Sequence, residues 1–326
     1  MLVSLSSLRC TKTYRKMRLY LLLALFFAYK SSFSQSSFEV ITSDVDLFWR
    51  AFGQLENAKT KADSVKILEE EYLAKGSPGV KQFIPYRIRS AENLQKTISK
   101  HPQYYTQLRA HTHKLKEAVP KMEAHYKRMQ EIYPQTSIPR VYFVIGAMNS
   151  AGTIVEDPVI GVDMFGLYPN TPTEELSHWH RAVLKPMEEI DLVVMHEMVH
   201  ILQSGSANSE ENLLSKSIGE GAADFVATLA ANGHINKVAH VYGDQHEKEL
   251  WEEFKVQMAQ NDLSRWLYIG DKIQDRPADL GYYMGYKICE SYYNKTKDKK
   301  KAVSDILSIQ DYAAFLEQSG YAKKFN

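Results

Sequence analysis

The chain has 326 residues, 24% of them charged, and a formal net charge of +1. That length supports one or two domains with a sizeable core, and that balance gives no electrostatic reason to bind nucleic acid or an anionic membrane surface. Its two cysteines, Cys10 and Cys289, are too few for a disulfide scaffold.

The N-terminus reads as a targeting segment. Arg15, Lys16 and Arg18 precede an apolar run from Leu19 to Tyr29, and Ser32, Phe33 and Ser34 offer a cleavage point before Gln35. This is the n-, h- and c-region order of a secretory signal, and the run is too short to span a bilayer comfortably. Met17 is an alternative start. A signal over residues 1–34 predicts an exported chain, periplasmic or extracellular, with no stable membrane span after cleavage; a retained anchor is the competing reading. Cys10 lies ahead of the apolar run, so cleavage leaves Cys289 alone and no intrachain disulfide.

Residues 35–139 read as a helical N-terminal region. Asp44 is placed to cap a helix whose apolar face is Val45, Phe48, Trp49, Phe52 and Leu55. Asp63 is placed to cap the next, with Ile67, Leu68 and Tyr72 inside. Gly76 to Gly79 predicts a turn, and a broken helical spacing runs on from Leu94 to Met129. A packing domain is the simpler reading of this region; one wall of a cleft is the other.

Residues 140–326 read as a second region. Arg140 to Ile145 is β-branched and aromatic and predicts a strand, Gly146 to Gly152 a turn, and Val159 to Val162 a second strand. His178, Trp179 and His180 read as a loop carrying an aromatic, with weak metal binding as the competing reading.

His196-Glu197-Met198-Val199-His200 holds the most chemistry. HExxH sets two imidazoles one helical turn apart on one face, where both reach a single metal ion. Glu197 is turned by about 100° from His196 and flanks the metal position, where a base could deprotonate a bound water. The flanks are apolar, Leu192 to Met195 before and Ile201 and Leu202 after, so these polar groups sit in a buried setting and need partners. A third ligand is required, and Glu220 in Gly219-Glu220-Gly221-Ala222-Ala223-Asp224 is the candidate.

HExxH followed by Glu220 and, one turn on, Asp224 resembles the gluzincin metallopeptidases over roughly residues 140–290. The resemblance implies an α+β, mostly helical, zincin-type domain with a small sheet and an HExxH helix. It implies one Zn²⁺ on His196, His200 and Glu220, with Glu197 as general base and Asp224 orienting a ligand histidine. It implies a secreted zinc peptidase acting on a peptide or protein substrate, with the edge strand of the sheet pairing with that substrate. Gly146-Ala147-Met148-Asn149 is similar to the amine-binding loop of gluzincin aminopeptidases, but the glutamate of that loop is missing.

Asn232-Gly233 predicts a helix end, and His234, His240 and His246 follow at irregular spacing. Such an enzyme needs a donor to the oxyanion. Tyr282 and Tyr286 share a helix face and are the candidates, with Tyr283 between them, set against a tyrosine-rich core helix that includes Cys289. Arg276 reads as a carboxylate anchor or as a partner of Asp279. Lys297 to Lys301 predicts a solvated loop. The rival reading of the whole is a non-catalytic exported zinc-binding envelope or interaction protein. No oligomeric state follows.

Overall fold

Strand β1 (Glu39–Ile41) opens the fold, followed by helices α1 (Ser43–Gln54), α2 (Lys61–Leu68), α3 (Pro78–Phe83), α4 (Ala91–Lys100), α5 (Pro102–His111) and α6 (His113–Ile132). Then come β2 (Arg140–Val144), β3 (Gly152–Ile154) and β4 (Pro158–Gly161). The chain continues as α7 (His178–Val183), α8 (Ile190–Leu202), α9 (Leu213–Ala231), α10 (Lys237–Gln257), α11 (Leu280–Lys295), α12 (Lys299–Leu307) and α13 (Tyr312–Ser319). The structure, a computed structural model, describes residues 38–325 apart from 139, 205–210, 271 and 274. The expected signal over 1–34 and its cysteine lie outside these residues. The α+β, mostly helical architecture is as expected.

The four strands form one sheet in the order β1-β2-β4-β3. β1, β2 and β4 run parallel, and β3 returns antiparallel to β4 as an edge. Parallel strands need cover on both faces, which is why Val141 to Val144 and Pro158 to Gly161 are buried without alternation. α3 lies close on one face: a Cβ on Gly79 would come within 2.4 Å of Tyr142. α8 packs against β3 and β4. Through β1, the region before residue 139 shares this sheet with the region after it.

Local details differ from the expected caps. Thr42, not Asp44, precedes α1; the Asp44 carboxylate accepts from the Ser77 amide at 2.9 Å and from its hydroxyl at 2.5 Å. Thr60 caps α2, and Asp63 returns the bond to the Thr60 amide at 2.9 Å, a reciprocal box. The expected turn at Gly76–Gly79 contains the start of α3, where Ser77 caps and Pro78 fills the first position. His178 to His180 begin a short helix capped by Ser177. The predicted loop at Lys297–Lys301 contains the first turn of α12, capped by Asp298. Asn232 does end α9, with its backbone in the left-handed region at φ 54°.

The loop after β2 is pinned by buried groups. Tyr72 and Tyr105 donate their hydroxyls to the carbonyls of Ile145 and Gly146. Asp163 accepts from the Gly146 and Met148 amides, both at 2.6 Å. Burial pushes the Asp163 carboxyl up to about 6, with those two amides acting in the opposite direction.

Candidate metal centre

α8 is buried on nearly every side, so its polar residues must be satisfied internally. Asp191 in its first turn meets His125 Nε2 of α6 at 3.0 Å. His196 and His200, one turn apart, project toward α9, where Glu220 and Asp224 are also one turn apart. The helices meet so that His196 Nε2 and His200 Nε2 stand 3.0 Å apart, with Glu220 Oε2 at 3.4 and 3.2 Å from them. Among the described residues this is the one cluster of three potential ligands, all donor atoms lying within 4.8 Å of each other.

The outer faces of the rings decide what the inner faces present. His196 Nδ1 bonds Asp224 Oδ1 at 2.7 Å, and Asn236 Nδ2 donates to the other Asp224 oxygen at 2.9 Å. Gln203 Nε2 donates to the Gly219 carbonyl at 2.7 Å, which leaves its Oε1 to accept from His200 Nδ1 at 2.8 Å. Both Nδ1 atoms therefore carry hydrogen. With both rings neutral, two Nε2 lone pairs and a carboxylate oxygen face one point, an arrangement that a proton on His196 or a bound cation relieves. An ion with ligand bonds near 2.1 Å holds tetrahedral donors about 3.4 Å apart, close to the spacings present. Burial disfavours charge on His196, but the Asp224 and Glu220 carboxylates outweigh it and hold its pKa up at about 10. Burial likewise opposes charge on Glu220, and its bonds to His196 and His200 overcome this, placing it well below the usual carboxylate range. The residues fit a single Zn²⁺.

Close packing fixes the third wall. A Cβ on Gly221 of α9 would fall 2.1 Å from the Tyr286 amide nitrogen, and one on Gly285 of α11 would fall 1.7 Å from the Ser217 carbonyl oxygen. The two helices thus touch backbone to backbone, which sets the Tyr282 ring 6.1 Å from that of His196. Tyr286 instead packs among Phe225, His234 and His240, with ring centroids at 5.2, 5.2 and 4.5 Å. The Glu197 carboxyl lies against β3, where a Cβ on Gly152 would come within 2.7 Å of it. Arg276 pairs with Glu253 at 2.7 Å and covers Trp266, not Asp279. Three contributors escaped the sequence reading: Gln203, Asn236 and Tyr268, whose hydroxyl donates to Glu220 Oε1 at 2.7 Å. Gln203 carries a faint signal, lying three positions beyond His200 at the end of α8. The other two come from loops distant in sequence.

His240 is buried beside this centre, stacked on His234 at 4.0 Å, and its Nε2 has no hydrogen-bond partner among the described residues. Burial, with His234 adding to it, pushes its pKa down to about 4. The unfolded chain therefore binds this proton near pH 6.5 while the folded one does not, and stability falls as pH drops from about 6.5 to 4. His240→Phe should shrink that loss. Urea midpoints at pH 7 and pH 5 check it; an equal drop in parent and variant would refute the assignment.

The fold and this centre define a helix-rich α+β protein built around a His-His-Glu cluster. The chain belongs to the family described as gliding motility protein GldB, which matches residues 32–323. The family label marks lipoproteins; in this chain the cysteines stand at 10, ahead of the apolar run, and at 289, buried in α11. No curated protein and no solved structure matches the chain. Among the described residues no helix is long and apolar enough to cross a membrane.

This membership overturns the expected gluzincin peptidase. The family is a gliding motility family, not a zinc metallopeptidase family. The hydrolase activity and the peptide substrate therefore fall, and with them the reaction that Glu197, Tyr282 and Tyr286 were to serve. The physical reason lies in the motif. HExxH and a glutamate on the next helix specify a geometry that gathers two imidazoles and a carboxylate, and such a gathering does not by itself name a reaction.

Proposed function

We propose that this chain is an exported, non-catalytic envelope component of the gliding apparatus, in which one Zn²⁺ on His196, His200 and Glu220 ties α8 to α9. The observation that supports it most is the convergence of three lone-pair donors at 3.0, 3.2 and 3.4 Å with both outer ring nitrogens already committed. Asp224 and Asn236 hold His196, Gln203 holds His200, and such outer partners are what a bound metal ordinarily requires. Bound zinc adds its binding free energy to the stability of the fold.

The purified exported chain is expected to carry about one zinc. Glu197→Gln is expected to keep both the zinc and gliding when it replaces the parent in cells, because a non-catalytic site has no use for a base. Absence of zinc, even after dialysis against it, would remove the metal centre. Loss of gliding in a folded, zinc-loaded Glu197→Gln protein would overturn the non-catalytic role.

A further inference from the structure

We infer that Tyr268 determines which metal the centre accepts, by fixing Glu220 as a ligand through one oxygen only. The inference rests on the metal reading above and concerns a residue outside the ligand triad. Tyr268 Oη donates to Glu220 Oε1 at 2.7 Å, while Oε2 faces His196 Nε2 and His200 Nε2 at 3.4 and 3.2 Å. The phenol therefore divides the carboxylate: one oxygen is occupied, and the other is turned to the imidazoles.

The setting of Tyr268 argues that this bond is the reason for its placement. Its φ is 57°, in the left-handed region that aromatic residues avoid, and the residue as a whole remains 55% exposed. An exposed residue on an unfavourable backbone contributes little to the core. The segment around it is nevertheless built firmly. The Ile269 amide donates to Asp279 Oδ1 at 2.9 Å, the Gly281 amide donates to the Trp266 carbonyl at 2.8 Å, and Gly270, at φ 58°, leaves room for Trp179. The Tyr268 ring also stands edge-on to Tyr282, which lies over His196. The loop is held in a strained form that delivers one hydroxyl to one carboxylate oxygen.

Two imidazoles and a single carboxylate oxygen suit zinc or cobalt, whereas a carboxylate free to offer both oxygens raises the oxygen share and suits manganese better. Tyr268→Phe keeps the ring and frees Oε1. Tyr268→Asn tolerates the left-handed backbone and is too short to reach Glu220, so it removes the phenol while easing the loop.

The test measures Zn²⁺ and Mn²⁺ affinities by competition with a chelating dye, together with the visible spectrum of the Co²⁺-loaded full chain. Both variants are expected to bind zinc about 10- to 100-fold more weakly. They are also expected to show a reduced zinc-to-manganese preference and an altered cobalt spectrum, with melting of the metal-free protein unchanged or, for Asn, raised. Parental zinc affinity, metal preference and cobalt spectrum in both variants would overturn the inference. A parent that binds neither zinc nor cobalt would instead remove the metal centre itself, so the two failures are distinguishable.

Discussion

Gly285→Ala should cost about 3 kcal/mol or more, the largest effect expected of a single added methyl group here. The new Cβ would stand 1.7 Å from the Ser217 carbonyl oxygen, 2.4 Å from its carbon and 3.0 Å from Ile218 Cα. All three are backbone atoms of α9, so no rotamer can relieve the overlap and the helices must separate. Overpacking typically costs 1–3 kcal/mol, and a clash with helix backbone belongs at the upper end or beyond it, against a total stability of about 5–15 kcal/mol. The internal control is on α9, the helix that the new methyl would strike. Gly219 has nothing within 4 Å of its notional Cβ. Gly219→Ala should therefore stabilise by about 0.5–1 kcal/mol, the ordinary gain on replacing a helical glycine. Urea unfolding followed by circular dichroism measures both. Equal midpoints for the two variants would show that the crossing is looser than described.

His200→Ala should abolish the stabilisation that zinc confers. A site held at a hundredfold excess of free metal over its dissociation constant gains about 2.7 kcal/mol, worth roughly 5 °C in melting temperature for a chain of this size. His200 is a cleaner choice than His196. Its side chain is 25% exposed and its outer nitrogen bonds only Gln203, whereas removing His196 would also strand Asp224, which is buried. In the parent, a chelator should lower the melting temperature by several degrees. In His200→Ala the same chelator should change nothing, and the metal-free melting temperatures should nearly coincide. A chelator response of parental size in the variant would place the metal elsewhere.

The parts of this molecule that depend on nearest neighbours were readable in advance. The apolar spacing of Val45, Phe48 and Trp49 marks α1, the unbroken run from Val141 to Val144 marks a covered strand, and Asn232 marks the end of α9. The clustering of His196, His200, Glu220 and Asp224 was readable for the same reason, because a one-turn spacing on each of two helices places all four. β1 and β3 were not: each is three residues long, and what makes it a strand is a partner elsewhere in the chain. Caps were misassigned where bonding is reciprocal, as between Thr60 and Asp63. Tyr268 reaches Glu220 across 48 positions through a loop whose backbone no local pattern announces. Function was misread because the motif encodes the gathering of ligands, and many proteins gather ligands without performing hydrolysis.

The contact between Gly221 and Gly285 has a mechanical meaning. Glu220 is the residue next to Gly221, so its carboxylate and the crossing belong to a single step of α9. Where helices meet through side chains, rotamers act as a cushion and a push on one is partly absorbed. Here no side chain lies between the backbones, and tightly packed interiors compress little. A displacement of α11 against α9 would therefore reach the backbone beside Glu220 with little loss on the way.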